Sequence, residues 1–148
     1  MARTKLSASV RQRVRQRAHY LCEYCHASEQ WQYIRFTIDH VLPLSAGGDD
    51  TLDNLALACF HCNRRKSNQL TGIDLLTGKS TSLFHPRQMQ WSDHFIWSAD
   101  GLSIVGLTPT GRATVAVLVL NRQRTIAIRA ADRQLDRHPP EGDPIQPS

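Results

Sequence analysis

Two pairs of cysteines, each with C-x2-C spacing, constrain this 148-residue chain more than any other feature of its sequence. The pairs are Cys22 with Cys25 and Cys59 with Cys62, and no cysteine is left over. A C-x2-C turn directs two thiolates at one point, so two such turns can complete a closed, structural Zn2+ site of four thiolates. Disulfides or a dithiol redox pair are the alternatives. The 33 residues between the pairs, 26–58, form an insert whose two ends the metal would hold together.

The sequence also indicates the cellular compartment in which we expect the protein. It has no run of about 18 apolar residues and no apolar segment near its start that resembles a secretory signal. We therefore expect a cytoplasmic protein without a membrane partner. Paired cysteines in a reducing cytosol are more often metal ligands than disulfides. Hydrophobic residues make up 41% of the chain and aromatic residues 7%, which is lean for the length, so a structural metal would help the core.

Positive charge is concentrated at the start of the chain. The net charge is +5, and residues 1–22 contain six Lys or Arg and no acid. Apolar residues at helical spacing predict a helix from about residue 10 to 21, which Ser9 would cap. A basic helix favours a polyanionic partner, nucleic acid first, although a solvated helix face is the alternative. Its candidate nucleic-acid contacts are Arg11, Arg13, Arg15 and Arg17.

The central stretch predicts the order strand, loop, strand, helix. Alternating apolar residues indicate a strand over 33–41, and a loop with Gly47-Gly48 follows, where positive φ costs little. A short apolar run indicates a second strand over 55–59, and residues 60–69 favour a helix. Three cations on this helix are further candidate phosphate contacts: Arg64, Arg65 and Lys66.

Polar side chains with catalytic potential cluster in this stretch. Asp39 and His40 stand at the predicted end of the first strand, where both can reach one cleft. An acid supplies an oxygen ligand for a hard cation such as Mg2+, and a histidine can take a proton from water. Asn63 could complete the cation site with Asp39, and Asn54 could bond backbone across the loop. The simpler alternatives are a structural ion pair, a helix N-cap for Asn63 and an Asx turn for Asn54.

The order of these motifs resembles the HNH endonuclease family, the ββα-metal nucleases, over about residues 20–70. The resemblance implies His40 as general base, Asn54 as the residue that orients the loop, and Asp39 and Asn63 as ligands of a catalytic divalent cation. Asn63 stands where the family name has a final His, and the resulting oxygen ligands favour Mg2+ or Mn2+. The matching motifs are Cys22-Cys25, Asp39-His40, Gly47-Gly48, Asn54-Leu55, Cys59-Cys62-Asn63 and Lys66.

Beyond residue 70 the sequence predicts a connection to residue 82, a hairpin around Asp100-Gly101, and a basic helix over 122–135. For residues 112–121 we prefer a helix, although their β-branched residues favour a strand as the alternative. Residues 83–121 resemble extensions of some bacterial HNH proteins. Residues 136–148 hold four prolines and no periodicity, which predicts a disordered tail. The predicted organisation is a basic arm and helix (1–20), a nuclease core (21–78), a C-terminal extension packed on the core (79–135) and the tail (136–148).

The predicted fold class is α+β: a small ββα-metal core stapled by a four-cysteine zinc site, with a basic helix before it and a hairpin-plus-helix extension after it. The resemblance implies an endonuclease that hydrolyses DNA phosphodiester bonds. RNA stays open as a substrate, and the chain would act alone or as a subunit of a larger nucleic-acid-processing system. The alternatives are a non-catalytic, zinc-stabilised nucleic-acid-binding module and a zinc-stapled protein–protein adaptor.

Overall fold

The structure, a computed structural model, describes residues 6–148 and shows two compact units. The first unit ends at Arg64, and the second comprises Arg65–Ser148. This division falls before residue 78, where the sequence predicted the end of the nuclease core. The predicted arm at residues 1–5 lies outside the described residues, and the packing of residues 79–135 on the core stays a prediction.

The first unit contains the predicted ββα core. Its elements are helix α1 (Ala8–Arg17), strand β1 (Thr37–His40), strand β2 (Leu55–Ala58) and the start of helix α2 (Phe60–Lys66). β1 and β2 pair antiparallel, with Thr37 opposite Ala58 and His40 opposite Leu55. Every residue of β2 is buried, and α1 packs against this strand. The α+β fold class is therefore confirmed.

Helix α1 differs from its prediction at its cap and on its buried face. Ser7, rather than Ser9, is the N-cap, and its hydroxyl accepts the backbone N–H of Val10 across 3.1 Å. Val14 and Arg15 are both buried on this helix, with Arg15 only 7% exposed. The prediction that all four arginines face solvent or phosphate is therefore wrong for Arg15.

Strand β1 begins later than predicted because side chains occupy both backbone groups of Phe36. The Phe36 N–H donates to Glu29 Oε2 at 2.7 Å, and its carbonyl accepts from Arg15 Nη2 at 2.9 Å. Arg15 Nε donates to Glu29 at 3.0 Å and closes the network. The ladder consequently starts at Thr37, and Ile34, predicted to share a strand face with Phe36, is exposed instead.

The second unit consists of two hairpins and three helices among its described residues. Helix α4 (Pro109–Val117) packs against strand β6 (Ile104–Gly106) and against both strands of the first hairpin, which comprises residues 71–82. The hairpin around Asp100-Gly101 and the two predicted helices are confirmed, whereas β3 and β4 replace the predicted connection over 70–82. The elements are β3 (Thr71–Ile73), β4 (Ser80–Ser82), α3 (Trp91–His94), β5 (Phe95–Trp97), β6 (Ile104–Gly106), α4 (Pro109–Val117) and α5 (Gln123–Gln134). None of the helices in the described part of the chain has the length and apolar composition needed to cross a bilayer.

Residues 136–148 lie against β5, so the prediction of a disordered tail is wrong. The N–H of Trp97 donates to the carbonyl of Pro144 at 3.0 Å, and the N–H of Gln146 donates to the carbonyl of Trp97 at 2.8 Å. The indole Nε1 of Trp97 donates to Asp143 at 2.9 Å. Proline has no N–H to donate, and the edge of a sheet is where an extended segment tolerates it.

Candidate metal centre and active site

The four cysteines converge in one cluster. Their Sγ atoms all lie within 4.8 Å of one another, and none forms a disulfide. Cys25 and Cys59, one from each pair, have their Sγ atoms 3.7 Å apart. Tetrahedral zinc with Zn–S bonds of about 2.3 Å separates its sulfurs by about 3.8 Å. The donor set therefore fits a structural Zn2+ ion.

Backbone and thiol hydrogen bonds prepare this cluster for a cation. In each turn the second cysteine donates its N–H to the first sulfur: Cys25 to Cys22 at 3.5 Å, and Cys62 to Cys59 at 3.4 Å. Hydrogen bonding to Cys22, then to Cys59 and Cys62, holds the pKa of the Cys25 thiol well below its usual value. Hydrogen bonding to Cys22 first, and to Cys25 second, raises the pKa of the Cys59 and Cys62 thiols. All four groups become thiolates together only around a positive ion.

The first cysteine turn is fastened to strand β2 through Glu23. The N–H of Glu23 donates to the carbonyl of Leu57, and Glu23 Oε2 accepts the N–H of Leu57, both at 2.8 Å. Leu57 also pairs with Ile38 in the β1–β2 ladder. The cysteine cluster and the strand that carries Asp39 and His40 are therefore parts of one hydrogen-bonded frame.

Asp39 points inward, to a tyrosine of the first cysteine turn. Asp39 is 6% exposed, and its Oδ2 accepts a hydrogen bond of 2.6 Å from the hydroxyl of Tyr24, which is 1% exposed. Burial first, and the charge of Asp39 second, raise the pKa of Tyr24 well above its usual value. Tyr24 consequently keeps its proton and serves as a donor that fixes one oxygen of Asp39.

His40 lies toward a cleft and is held by a second carboxylate. Its Nε2 lies 2.7 Å from Asp50 Oδ1, and the His40 side chain is 16% exposed. A carboxylate only accepts, so Nε2 carries the hydrogen and the lone pair of the neutral ring is on Nδ1. His40 lines a cleft of about 340 Å³ together with Arg11 and Phe36. Asp39 does not line this cleft, in keeping with the opposite orientation of adjacent side chains on a strand. That both groups reach one phosphate at the strand end stays a prediction.

Asn54 ties the two ends of the loop between the strands. Its Oδ1 accepts the N–H of Leu42, and its Nδ2 donates to the carbonyls of Leu42 and Asp49, all at 2.9 Å. A Cβ on Gly48 would lie 1.8 Å from the Leu42 carbonyl oxygen and 2.9 Å from Asn54 Nδ2. Gly48 is therefore required for space, whereas Gly47 adopts a φ of 91°. The sequence predicted the positive φ in the glycine pair, but not the lack of space at Gly48.

Asn63 lies inside α2, which excludes its alternative interpretation as the helix N-cap. Its N–H donates to the carbonyl of Cys59 at 3.0 Å, so the second cysteine turn fixes its backbone. Arg64 and Arg65 are exposed, as phosphate contacts require. Lys66 is 2% exposed, so its burial contradicts the predicted surface contact with phosphate.

The remaining predicted arginines, all on α1, differ in whether their side chains are bonded to other parts of the protein. Arg11 and Arg13 are exposed on α1. Arg17 is also exposed, but its guanidinium donates to the carbonyls of Leu52 and Leu55 at 2.9 and 2.6 Å. Arg17 therefore links α1 to the start of β2, and of the four arginines Arg11 and Arg13 remain the most available for a ligand.

Sequence reasoning did not single out Tyr24, Asp50, Glu29 or Arg35. Tyr24 stands inside the first C-x2-C turn, and Asp50 follows the glycine pair by two positions. The contacts around these residues form only when segments that are distant in the sequence come together in the fold. Only the acid-rich end of the loop, Asp49-Asp50, gave a local signal that could have been used.

Comparison with known proteins assigns a class of domain to residues 22–69. Residues 22–69 match the model of the HNH endonuclease family, a stretch that includes all four cysteines, β1, β2 and α2. Among curated proteins, none matches the chain. The chain therefore carries an HNH endonuclease domain over residues 22–69, and this class of domain implies a nucleic-acid substrate.

Proposed function

We propose that this protein is a metal-dependent endonuclease that hydrolyses phosphodiester bonds of DNA, with His40 as general base. The observation that carries the proposal is the hydrogen bond of 2.7 Å between His40 Nε2 and Asp50, made where His40 lines a cleft beside Arg11. A base held in one tautomer, next to a cation that can bind phosphate, is the arrangement that hydrolysis of a phosphodiester needs.

The proposed catalytic cation, Mg2+ or Mn2+, would be held by Asp39 and Asn63. Their carboxylate and amide oxygens suit hard divalent ions. When bound, the ion would offset the negative charge that builds on the phosphate and on the leaving oxygen. The hydrogen bond from Tyr24 to Oδ2 fixes the orientation of the Asp39 carboxylate, which would position it as a ligand.

The chain's own residues account for the proton transfer. His40 Nδ1 takes a proton from the attacking water, and Asp50 stabilises the imidazolium that results. Asn54 keeps the Asp50 side of the loop in place through the carbonyl of Asp49, and Gly48 provides the space for that bridge. The proposed roles of His40, Asp50 and Asn54 thus all depend on the loop between β1 and β2.

A plasmid-nicking assay tests the proposal. Supercoiled DNA is incubated with Mg2+ or Mn2+ and either the unmodified protein or His40→Ala, whose zinc content and circular dichroism are checked first. We expect His40→Ala to nick at least about 100-fold more slowly, the lower range for loss of a general base. Equal rates would exclude His40 as the base.

The same assay separates the alternatives. No nicking by the unmodified protein with any divalent metal, together with salt-sensitive DNA binding that survives loss of Asp39 and His40, would favour a non-catalytic binding module. Cleavage of an RNA oligonucleotide without cleavage of DNA would change the proposed substrate. Neither binding nor cleavage at low salt would favour a protein–protein adaptor.

A further inference from the structure

A groove between α1 and β1 leads away from His40. The cleft that His40 lines also contains Leu6, Arg11 and Phe36, and a second cleft of about 530 Å³ shares these three residues. Because the two clefts have these walls in common, they adjoin and form one groove. His40 lies at one end of the groove, and Arg35 lines only the second cleft, away from His40.

The formally charged side chains that line this groove, among the described residues, are all positive. Within the described part of the chain, its lining includes three arginines, Arg11, Arg15 and Arg35, and no carboxylate. Arg15 is buried, its charge is offset by the ion pair with Glu29, and it also donates to the Phe36 carbonyl, so it does not reach a ligand. Arg11 and Arg35 are exposed. Two exposed guanidinium groups, one from each wall, suit two phosphates of a single strand.

We infer that Arg11 and Arg35 bind backbone phosphates of the substrate on one side of the cleaved bond, so that the DNA strand lies along the α1–β1 groove and reaches His40. This inference rests on the proposed function for the role of His40. It assigns a binding role to Arg35, which the sequence did not suggest, and it distinguishes Arg11 from the structural arginines Arg15 and Arg17 of the same helix.

The test measures DNA binding where cleavage cannot interfere. The full chain with His40→Ala is titrated with fluorescein-labelled duplex and single-stranded DNA, without divalent metal, at several salt concentrations. Arg11→Ala and Arg35→Ala are each added to this background. We expect each to weaken binding several-fold and to reduce the slope of log K against log salt by roughly 0.7–0.9, the value for one phosphate contact.

Arg124→Ala is the matched control, because Arg124 is an exposed arginine of α5 in the second unit and its loss changes the net charge equally. The inference is overturned if Arg11→Ala and Arg35→Ala bind like their parent, or if Arg124→Ala has the same effect as they do. Both variants change exposed side chains, and their zinc content reports whether the first unit is intact.

Failure of this inference and failure of the proposed function give different results. Normal nicking that requires His40, with binding unaffected by Arg11→Ala and Arg35→Ala, would reject the groove and leave the nuclease. Loss of binding in both variants, in a protein that never nicks DNA, would support the groove as a nucleic-acid site and reject the catalytic role of His40.

Discussion

Tyr24 donates its hydroxyl to Asp39 across 2.6 Å, and this bond joins the zinc cluster to the proposed catalytic site. Tyr24 stands between Cys22 and Cys25, so its position is set by the turn that the zinc ion would hold. Asp39 lies in β1, opposite Ala56 of the neighbouring strand. The cysteine cluster and the carboxylate proposed to bind the catalytic cation are thus linked through one buried side chain.

Replacing Tyr24 with Phe should weaken the binding of the catalytic cation without unfolding the domain. A hydrogen bond to a charged group contributes about 1.5–3 kcal/mol, and its loss removes a contact that orients the Asp39 carboxylate toward the proposed cation. We expect the Mg2+ concentration for half-maximal nicking to rise about tenfold or more, with recovery at high Mg2+. The zinc content should stay at one ion per chain.

Tyr20→Phe is the control for this prediction, because the Tyr20 hydroxyl accepts an exposed hydrogen bond from Gln12 and does not contact Asp39. It should leave the Mg2+ dependence unchanged. An identical Mg2+ dependence in Tyr24→Phe and the unmodified protein would show that the Tyr24–Asp39 bond does not position the carboxylate.

Removal of the structural zinc should unfold the first unit. Zinc binding supplies about 10–16 kcal/mol in small zinc-dependent domains, far more than a core of this size can replace. Cys62→Ser is expected to lose the metal and most of the far-ultraviolet circular dichroism of the first unit. His61 lies between Cys59 and Cys62. The variant His61→Ala should retain one zinc ion per chain, as measured by elemental analysis. Zinc retained in Cys62→Ser but lost in His61→Ala would mean that His61 is a ligand.

Alanine substitutions at Gly47 and Gly48 compare the effect of a steric clash with the effect of an unfavourable backbone conformation. Gly48→Ala would place a Cβ 1.8 Å from the Leu42 carbonyl oxygen, so the loop must move and the Asn54 bridge must open. Gly47→Ala has no atom within 4 Å of its new Cβ and costs only the left-handed conformation, about 1–2 kcal/mol. We expect Gly48→Ala to nick far more slowly than Gly47→Ala at equal zinc content. The opposite order would contradict the role assigned to the Asn54 bridge.

The sequence predicted the turns, strand and helix that surround the candidate site because these elements depend on local sequence patterns. Two C-x2-C turns, a strand that ends at Asp39-His40 and a helix after Cys59 each depend on neighbouring residues, and the structure has them in that order. The partners of these residues were not predictable. Asp50 meets His40 from ten positions away, and a loop of that length can close in many ways.

Long-range contacts also explain the elements that the sequence assigned wrongly. Strands β3 and β4 have three residues each and no apolar alternation, so periodicity could not reveal them. Their turn is organised by Asp74, whose carboxylate accepts from the N–H of Leu76 and the hydroxyl of Thr77. Residues 136–148 are polar and proline-rich, and their contacts with Trp97 and with the carbonyl of Gly101 are long-range contacts that periodicity could not reveal.

Asp74 predicts how the second unit responds to acid. Its side chain is fully buried and accepts two hydrogen bonds from Arg112, at 2.8 and 3.0 Å. Hydrogen bonding from Arg112 holds the pKa of Asp74 well below its usual value. An unfolded Asp has a pKa of about 3.9, so the unfolded chain takes up this proton first as the pH falls. The pair therefore stabilises the fold above pH ~4, and its contribution is lost as the pH falls below that value.

Asp74→Asn should consequently lower the melting temperature at neutral pH, and its difference from the unmodified protein should shrink below pH ~4. Thermal unfolding followed by circular dichroism across this pH range measures the effect. Asp93→Asn, an exposed acid in the first turn of α3, should show little change at any pH. A destabilisation by Asp74→Asn that is the same at neutral pH and in acid would contradict the ion-pair explanation.

The contact between Asp50 and His40 gives a prediction for the chemical step itself. Asp50→Asn keeps an oxygen that can accept from Nε2 but removes the charge that stabilises the imidazolium, so proton transfer from water becomes harder. We expect nicking to slow by at least about tenfold, and the loss should persist at saturating Mg2+. Asp49→Asn is the neighbouring control, since the Asp49 side chain bonds only to Thr51 in the loop turn. Recovery of Asp50→Asn at high Mg2+ would assign Asp50 to cation binding, and equal effects of the two variants would show that the loop, rather than the His40–Asp50 bond, sets the rate.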